Sequence, residues 1–393
     1  MSEPERRRKQ NKDKAFFDYT MLFIVLFLLC FGLVMLYSVS SYESSLDFGD
    51  SAYYLKKQAQ ATLVGIVLMF VVMMVDYHFW RKFAIPAYIV SALLVLLVLT
   101  PLGYEVNGAK RWLNIGISVQ PAEAAKVGMI IFFAAYVCRI GKNVQTLKGV
   151  VRTLLLGVPI SALVLFITQN LSSAIIIFGI IFMMVFVSTP NYKEYFLLGI
   201  GLVAVAAVFV ILVQKGVLTS EQSYRFGRIE AWLNPEAYAG TKGFQTLQAL
   251  YAIGSGELFG KGLGQSMQKL GFVPEAQNDM VFSIICEELG LFGAFMVLLM
   301  FILLIWRFLV VANNAEDMFG ALIVVGVMAH ISLQVILNVA VVTNTIPNTG
   351  ITLPFISYGG SAVVFLLIEI GLVFSVSRRI RLKNPVKNQG TEG

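Results

Sequence analysis

The stretch PEAQNDMVFSIICEELG, residues 274–290, sets Glu275, Asp279, Glu287 and Glu288 at the mouth of a long apolar run. Carboxylates can act as general bases or cap helices, and spacing separates these uses. On a continuous helix rising about 1.5 Å per residue, Glu287 and Glu288 stand about 12 to 14 Å deeper than Asp279. That is too far for a two-carboxylate site of the glycosidase kind, where the groups lie roughly 5 to 9.5 Å apart. If this stretch does chemistry, Asp279 does it alone at the surface; the structural alternative is that Asn278 or Asp279 caps the helix that follows. Charges as deep as Glu287 and Glu288 must face protein, a partner or water. They read as bracing the helix or coupling it to activation.

Cationic and aromatic residues gather in two other segments. NGAKRWLNIGISVQPAEAAK (107–126) offers Lys110, Arg111 and Trp112, then Pro121 in a first helical turn, Glu123 near its positive end and Lys126 three residues on. A helix-start ion pair explains Glu123 and Lys126, but a lysine a turn inside hydrocarbon also needs a polar cavity or a partner. SYRFGRIEAWLNPEAY (223–238) puts Arg225, Arg228 and Trp232 on one helical face. Two guanidiniums suit a pyrophosphate and an indole can stack on a sugar; snorkelling arginines and an interfacial tryptophan fit the same pattern.

The glycine-rich AIGSGELFGKGLGQS (252–266) fails both the phosphate-loop and dinucleotide templates and reads as a tight turn. NTIPNTGITLPFISYGGSA (344–362) breaks the helical pattern with two prolines, as irregular backbone lining a cavity does. His330 reads as a structural hydrogen-bonding group, Asp18 and Asp76 as helix caps or anchors, and Cys30, Cys138 and Cys286 as small core residues.

These residues must be positioned by membrane helices, because 58% of the 393 residues are hydrophobic and 13% charged. Counting runs able to cross about 30 Å of hydrocarbon gives ten, with cores at 20–41, 59–75, 82–100, 124–140, 150–168, 172–188, 194–214, 280–306, 317–342 and 360–377. The expected class is therefore an all-α integral membrane protein. A single membrane domain (20–377) lies between basic tails at 1–19 and 378–393, with a long loop at about 215–279 between helices 7 and 8. Lys and Arg in the tails and alternate short loops put both termini in the cytoplasm and the unusual segments outside. The net charge of +7 is spread as a topology signal, which argues against nucleic acid as a partner.

Together GAKRWLNIG…QPAEAAK, RIEAWLNP, GFQTLQALYAIGSGELFGKGLGQS, PEAQNDMVFSIICEELG and LPFISYGGSA resemble, in order and spacing, the SEDS polymerases of shape, elongation, division and sporulation, the family of RodA, FtsW and SpoVE. FGLVMLYSVSSY, YYLKKQ and Asn170 are closer to the FtsW and SpoVE branch. Departures are Gln277-Asn278 where His-Thr is frequent, Met280 for Phe, Ser283 for Ala, and Ala122 and Ala362 for Ser; none removes a charge.

The resemblance implies a ten-helix peptidoglycan glycosyltransferase of the bacterial cytoplasmic membrane. Such an enzyme polymerises lipid II on the outer face with undecaprenyl diphosphate as leaving group, in division or sporulation septum synthesis. It matches the family's catalytic Asp to Asp279 and its outer-cavity cations to Arg111, Lys126, Arg225 and Arg228. Lys110, Trp112, Gln245 and Glu275 join the substrate-binding set, and Glu123, Glu287 and Glu288 the structural or regulatory one. It also implies a divalent cation, Mg²⁺ or Mn²⁺, with ligands unassigned, and a class B penicillin-binding protein as partner beside other division or elongation proteins. A lipid II flippase and a non-catalytic division scaffold are the alternatives.

Overall fold

A computed structural model describes residues 17–380 apart from 107, 117, 242 and most of 191–223. The expected seventh span (194–214) and both basic tails lie largely or wholly outside the described residues. The other runs are helices: α1 Tyr19–Phe48 and α2 Tyr53–Met74, then the short α3 Tyr77–Arg81 and α4 Ala84–Leu97. Next come α5 Pro121–Ile140, α6 Leu147–Ile167 and α7 Leu171–Val187. In the outer loop lie α8 Tyr224–Leu233 and α9 Phe244–Ser255, followed by α10 Val281–Asn313, α11 Met318–Val342 and α12 Gly360–Ser377. Among the described residues seven helices are long and apolar enough to cross a membrane, and α4 and α7 are shorter apolar helices. The chain is a multi-pass membrane protein.

The run 150–188 is two helices because Asn170 starts the second, its side chain accepting the Ser173 N–H at 3.0 Å. α11 is central, packed on α5, α7, α10 and α12, while α2 lies along α12. Outward faces keep Phe23, Leu63, Leu155 and Trp306 exposed, as lipid-facing surface must be. Cys30 sits on such a face rather than in the core.

One end of the bundle is tied by charges. Asp18 caps α1 and pairs with Arg307 at 2.7 Å, and Asp76 caps α3 and pairs with Arg379 at 2.8 Å. His78 lies 2.9 Å from Asp76 and 3.3 Å from Asp317, the N-cap of α11. The two acids expected to cap or anchor do both.

Two expectations need correction. The chain is mostly helical but not all-α: β1 Gly103–Val106, β2 Ala109–Asn114 and β3 Ser118–Val119 form a three-stranded antiparallel sheet in the order β1-β2-β3. Its sequence signal is the dipeptide Asn-Gly at 107–108, and in the structure Val106 pairs with Ala109 while Gly108 takes φ 76°.

Nor does α10 descend continuously. Gly290 breaks it at φ 68°, ψ −170°, a conformation open essentially to glycine alone. Ser38, which touches Glu288, is 20 residues above Asp18, or about 30 Å; Asn338, which touches the Asp279 carbonyl, is 21 residues above Asp317, or about 31 Å. The segment before Gly290 therefore lies across the bundle's far end. Glu287 and Glu288 stand near the level of Asp279, not a dozen ångströms below it.

Candidate active site

Asp279 ends the long loop just before α10, where its side chain is 8% exposed. Burial pushes its carboxyl up to about 7, and neighbouring Glu275 adds to the rise; a backbone hydrogen bond, the Arg228 guanidinium and the Gln245 amide oppose it. Gln245, in the first turn of α9, donates from Nε2 to Asp279 Oδ1 at 3.3 Å and to the Pro274 carbonyl at 3.0 Å. Asn338 on α11 donates to the carbonyls of Asp279 (2.8 Å) and Ile351 (2.7 Å). It thereby joins the acid to the irregular 343–359 segment.

That segment is irregular backbone, as its prolines suggested, and is packed into protein as a wall beside Asp279. Ile351, Leu353, Phe355 and Ile356 are buried, and the Tyr358 N–H donates to the Gln277 carbonyl at 2.8 Å. Gln58 on α2 spans it, accepting the Gly359 N–H (3.1 Å) and donating to the Ser357 carbonyl (3.4 Å).

The remaining sequence candidates divide into those near the acid and those serving other parts of the fold. Arg228, half-buried on α8, donates to the Asn348 carbonyl at 3.2 Å and acts electrostatically on Asp279. Trp232 donates to the Asn344 carbonyl at 2.9 Å, locking α8 onto the same wall. Arg225 is in α8 too, but its side chain lies outside the described residues. Glu275 holds the turn before Asp279 at φ 53°, its carboxylate accepting from Asn278 Nδ2. Arg111 on β2 reaches the end of α6, donating to the carbonyls of Thr168 (3.2 Å) and Gln169 (3.3 Å), orphan acceptors of a helix C-terminus. Lys110 is exposed across from Glu105, and Trp112 pairs with Tyr104 across the strands. Strand alternation puts both on the face opposite Arg111.

Lys126 is drawn inward. At 1% exposure its ammonium lies 2.7 Å from Glu123 and 3.1 Å from His330 Nε2, and His330 Nδ1 lies 2.7 Å from Glu369. The polar partners that a membrane lysine requires are therefore Glu123, in the expected ion pair, and His330, not the Asp279 group. Glu369 went unread in the sequence, although a lone acid inside the apolar run 360–377 was the available signal.

Glu287 and Glu288 are fully buried and paired. Glu287 accepts from Lys261 (2.7 Å), Ser266 and the Met267 N–H (3.2 Å); Glu288 accepts from Lys269 (2.8 Å) and Ser38 (2.8 Å). The glycine-rich turn belongs to this brace. The Lys261 and Gly262 N–H groups donate at 2.9 Å to the Glu287 and Glu288 carbonyls, which the break at Gly290 leaves without helical donors. The Leu291 and Phe292 N–H groups bond Glu257 (2.9 Å) and Leu258 (3.1 Å) in return. A Cβ at Gly260 would collide with the Glu288 carbonyl, so the glycines serve close backbone packing.

Among the described residues no three His, Cys, Asp or Glu side chains gather as a metal site. Glu275 and Asp279 alone do not make a protein cage for a divalent cation.

Comparison with known proteins agrees with this architecture. Residues 19–382 match the cell cycle protein family of FtsW, RodA and SpoVE. The stage V sporulation protein E of Bacillus subtilis is 39% identical over 369 residues, covering 93% of this chain and 98% of that protein. A probable peptidoglycan glycosyltransferase FtsW of Geobacter sp. (strain M18) is 37% identical with the same coverage. Among solved structures, a chain of a peptidoglycan synthase complex that coordinates polymerisation and crosslinking superposes with a TM-score of 0.75 at 27% identity, covering 92% of this chain and 98% of its own. The rod shape determining protein RodA of Thermus thermophilus superposes at 0.67 and 26% identity, covering 93% and 98%. With its fold, its broken α10 and its irregular wall spanned end to end by such relatives, this chain belongs to the FtsW/RodA/SpoVE family of membrane proteins.

Proposed function

We propose that the protein is a peptidoglycan glycosyltransferase that polymerises lipid II, with Asp279 as general base. The observation that carries the reading is the environment of Asp279: a buried carboxyl poised near 7, with an arginine within electrostatic reach. In the reaction the 4-hydroxyl of the acceptor sugar gives its proton to Asp279. Its oxygen bonds to the anomeric carbon of the donor with inversion, and the carbon–oxygen bond to the diphosphate breaks. Undecaprenyl diphosphate leaves with the bonding pair. Arg228, and Arg225 on the same helix, are proposed to meet its charge; Arg111 and Lys110 point to opposite faces of the sheet, so only one of them can join. Mg²⁺ or Mn²⁺ dependence is expected, any such ion being held mainly by substrate phosphates.

The SpoVE and FtsW names of the relatives support a role in septum synthesis, and the synthase complex supports a class B penicillin-binding protein as partner. The Lys and Arg distribution supports ten spans in one membrane domain, cytoplasmic basic tails and an extracytoplasmic site.

The decisive experiment gives purified protein and its cognate transpeptidase labelled lipid II with Mg²⁺ or Mn²⁺. Wild type should make glycan and D279N none, while D279N still inserts and folds; near wild-type polymerisation by D279N would sink the assignment. A lipid flippase is the second reading, favoured by the buried Lys126–His330–Glu369 network at mid-height. It requires E369Q to block lipid II translocation in vesicles while leaving polymerisation intact.

A further inference from the structure

Two backbone groups of fixed polarity bracket a pair of side-chain amides beside Asp279. At one end the Gly350 N–H, which can only donate, gives a hydrogen bond to Asn348 Oδ1 at 2.9 Å. The other half of that amide must then be its NH₂, and it donates to Gln245 Oε1 at 2.8 Å. Gln245 is left with Nε2 to turn towards the acid, 3.3 Å from Asp279 Oδ1. The Pro274 carbonyl, which can only accept, takes the same NH₂ at 3.0 Å and fixes the polarity from the far end. The frame around the relay is held independently. Arg228 bonds the Asn348 carbonyl, and Asn338 joins the carbonyls of Asp279 and Ile351.

We propose that Asn348 and Gln245 are positioning residues: Asn348 sets the flip of the Gln245 amide so that the base always meets a donor and never an acceptor. This rests on Asp279 being the base. A donor on Oδ1 holds that oxygen in place and leaves Oδ2 for the incoming hydroxyl. Reversal of the amide would aim a carbonyl dipole at the carboxylate, which costs most when Asp279 is ionised and active. Among the described residues the charged groups acting on Asp279 are Glu275 in the preceding turn and Arg228 on α8. Neither is part of the relay.

The relay makes an inverted prediction about conservative change. N348D is nearly isosteric and keeps an acceptor for Gly350, yet it cannot donate to Gln245. N348A removes more of the side chain but leaves Gln245 free to keep its orientation. With lipid II and the partner transpeptidase present, kcat should fall about tenfold in N348D and about threefold or less in N348A, and the acid limb of the pH–rate profile should move up in N348D alone. On a Q245A background N348D should add nothing, because its effect passes through Gln245. Q245E asks the same question from the other side and should lose more than Q245A, which covers the case in which N348D does not fold. The relay is wrong if N348A is as damaging as N348D, or if the N348D penalty persists without Gln245, which would make it a plain charge effect. If D279N itself polymerises normally, the function proposed above falls instead.

Discussion

The Asp279 carboxyl sits at the edge of its protonation range near neutral pH, and the sign of its shift decides two experiments. Burial raises its carboxyl from the ordinary 3.8 to about 7, so the base form is scarce at pH 6 and dominant at pH 8. Polymerisation in a steady-state lipid II assay should rise across that interval, and a flat profile would mean another step or another base governs the rate. Between about pH 4 and 7 the folded protein binds a proton that the unfolded chain releases, so this residue's contribution to stability declines as pH rises through that window. D279N lacks the penalty. Its melting temperature in detergent should exceed that of wild type by more at pH 8 than at pH 5. The acid itself was legible in the sequence because it is a polar residue at an apolar boundary. Asn338 and Asn348 were not, since an amide gains meaning only from the backbone groups that a fold brings to it.

At the level of elements, α10 shows what periodicity cannot see. Its residues are apolar on both sides of Gly290, so hydropathy reads one descending helix, while the backbone turns at a single φ of 68°. The signal present was the pairing of unexplained features: a glycine-rich turn carrying Lys261 with Lys269 just after it, and two glutamates too deep to solvate. Each resolves the other through Lys261–Glu287 and Lys269–Glu288. Removing one partner strands a buried charge, so E288A should cost about 3 to 5 kcal/mol, seen as a large fall in melting temperature, whereas K261A at the more open pair should cost less. G290A forces a side chain into a conformation that disfavours it by about 1 to 3 kcal/mol and against the Leu258 carbonyl. It should lower stability and polymerisation together, measured on the same preparation. The small sheet at 103–119 was missed for a simpler reason: its strands are too short to outweigh the helical runs around them.

Across the whole molecule, the multi-pass membrane class and the family were readable because apolar length and motif order survive without any contact information. What the structure added is vertical arrangement: charged ties at one end, the acid and its brace about 30 Å away at the other, and Lys126, His330 and Glu369 between them. The intermediate network joins α5, α11 and α12, so K126M should destabilise the bundle without moving the pH optimum, checked by melting and by a pH–rate profile. The break at Gly290 also bears on bilayer thickness. Unbroken, the 33 residues of α10 would reach about 50 Å, far beyond the roughly 30 Å of hydrocarbon a helix has to cross. With the surplus folded sideways, the part after the break, 291–313, measures about 35 Å, close to that thickness. A thicker or thinner bilayer is then expected to change the tilt of the portion of α10 after the break, while the segment before it stays tied through Ser38 to the first helix.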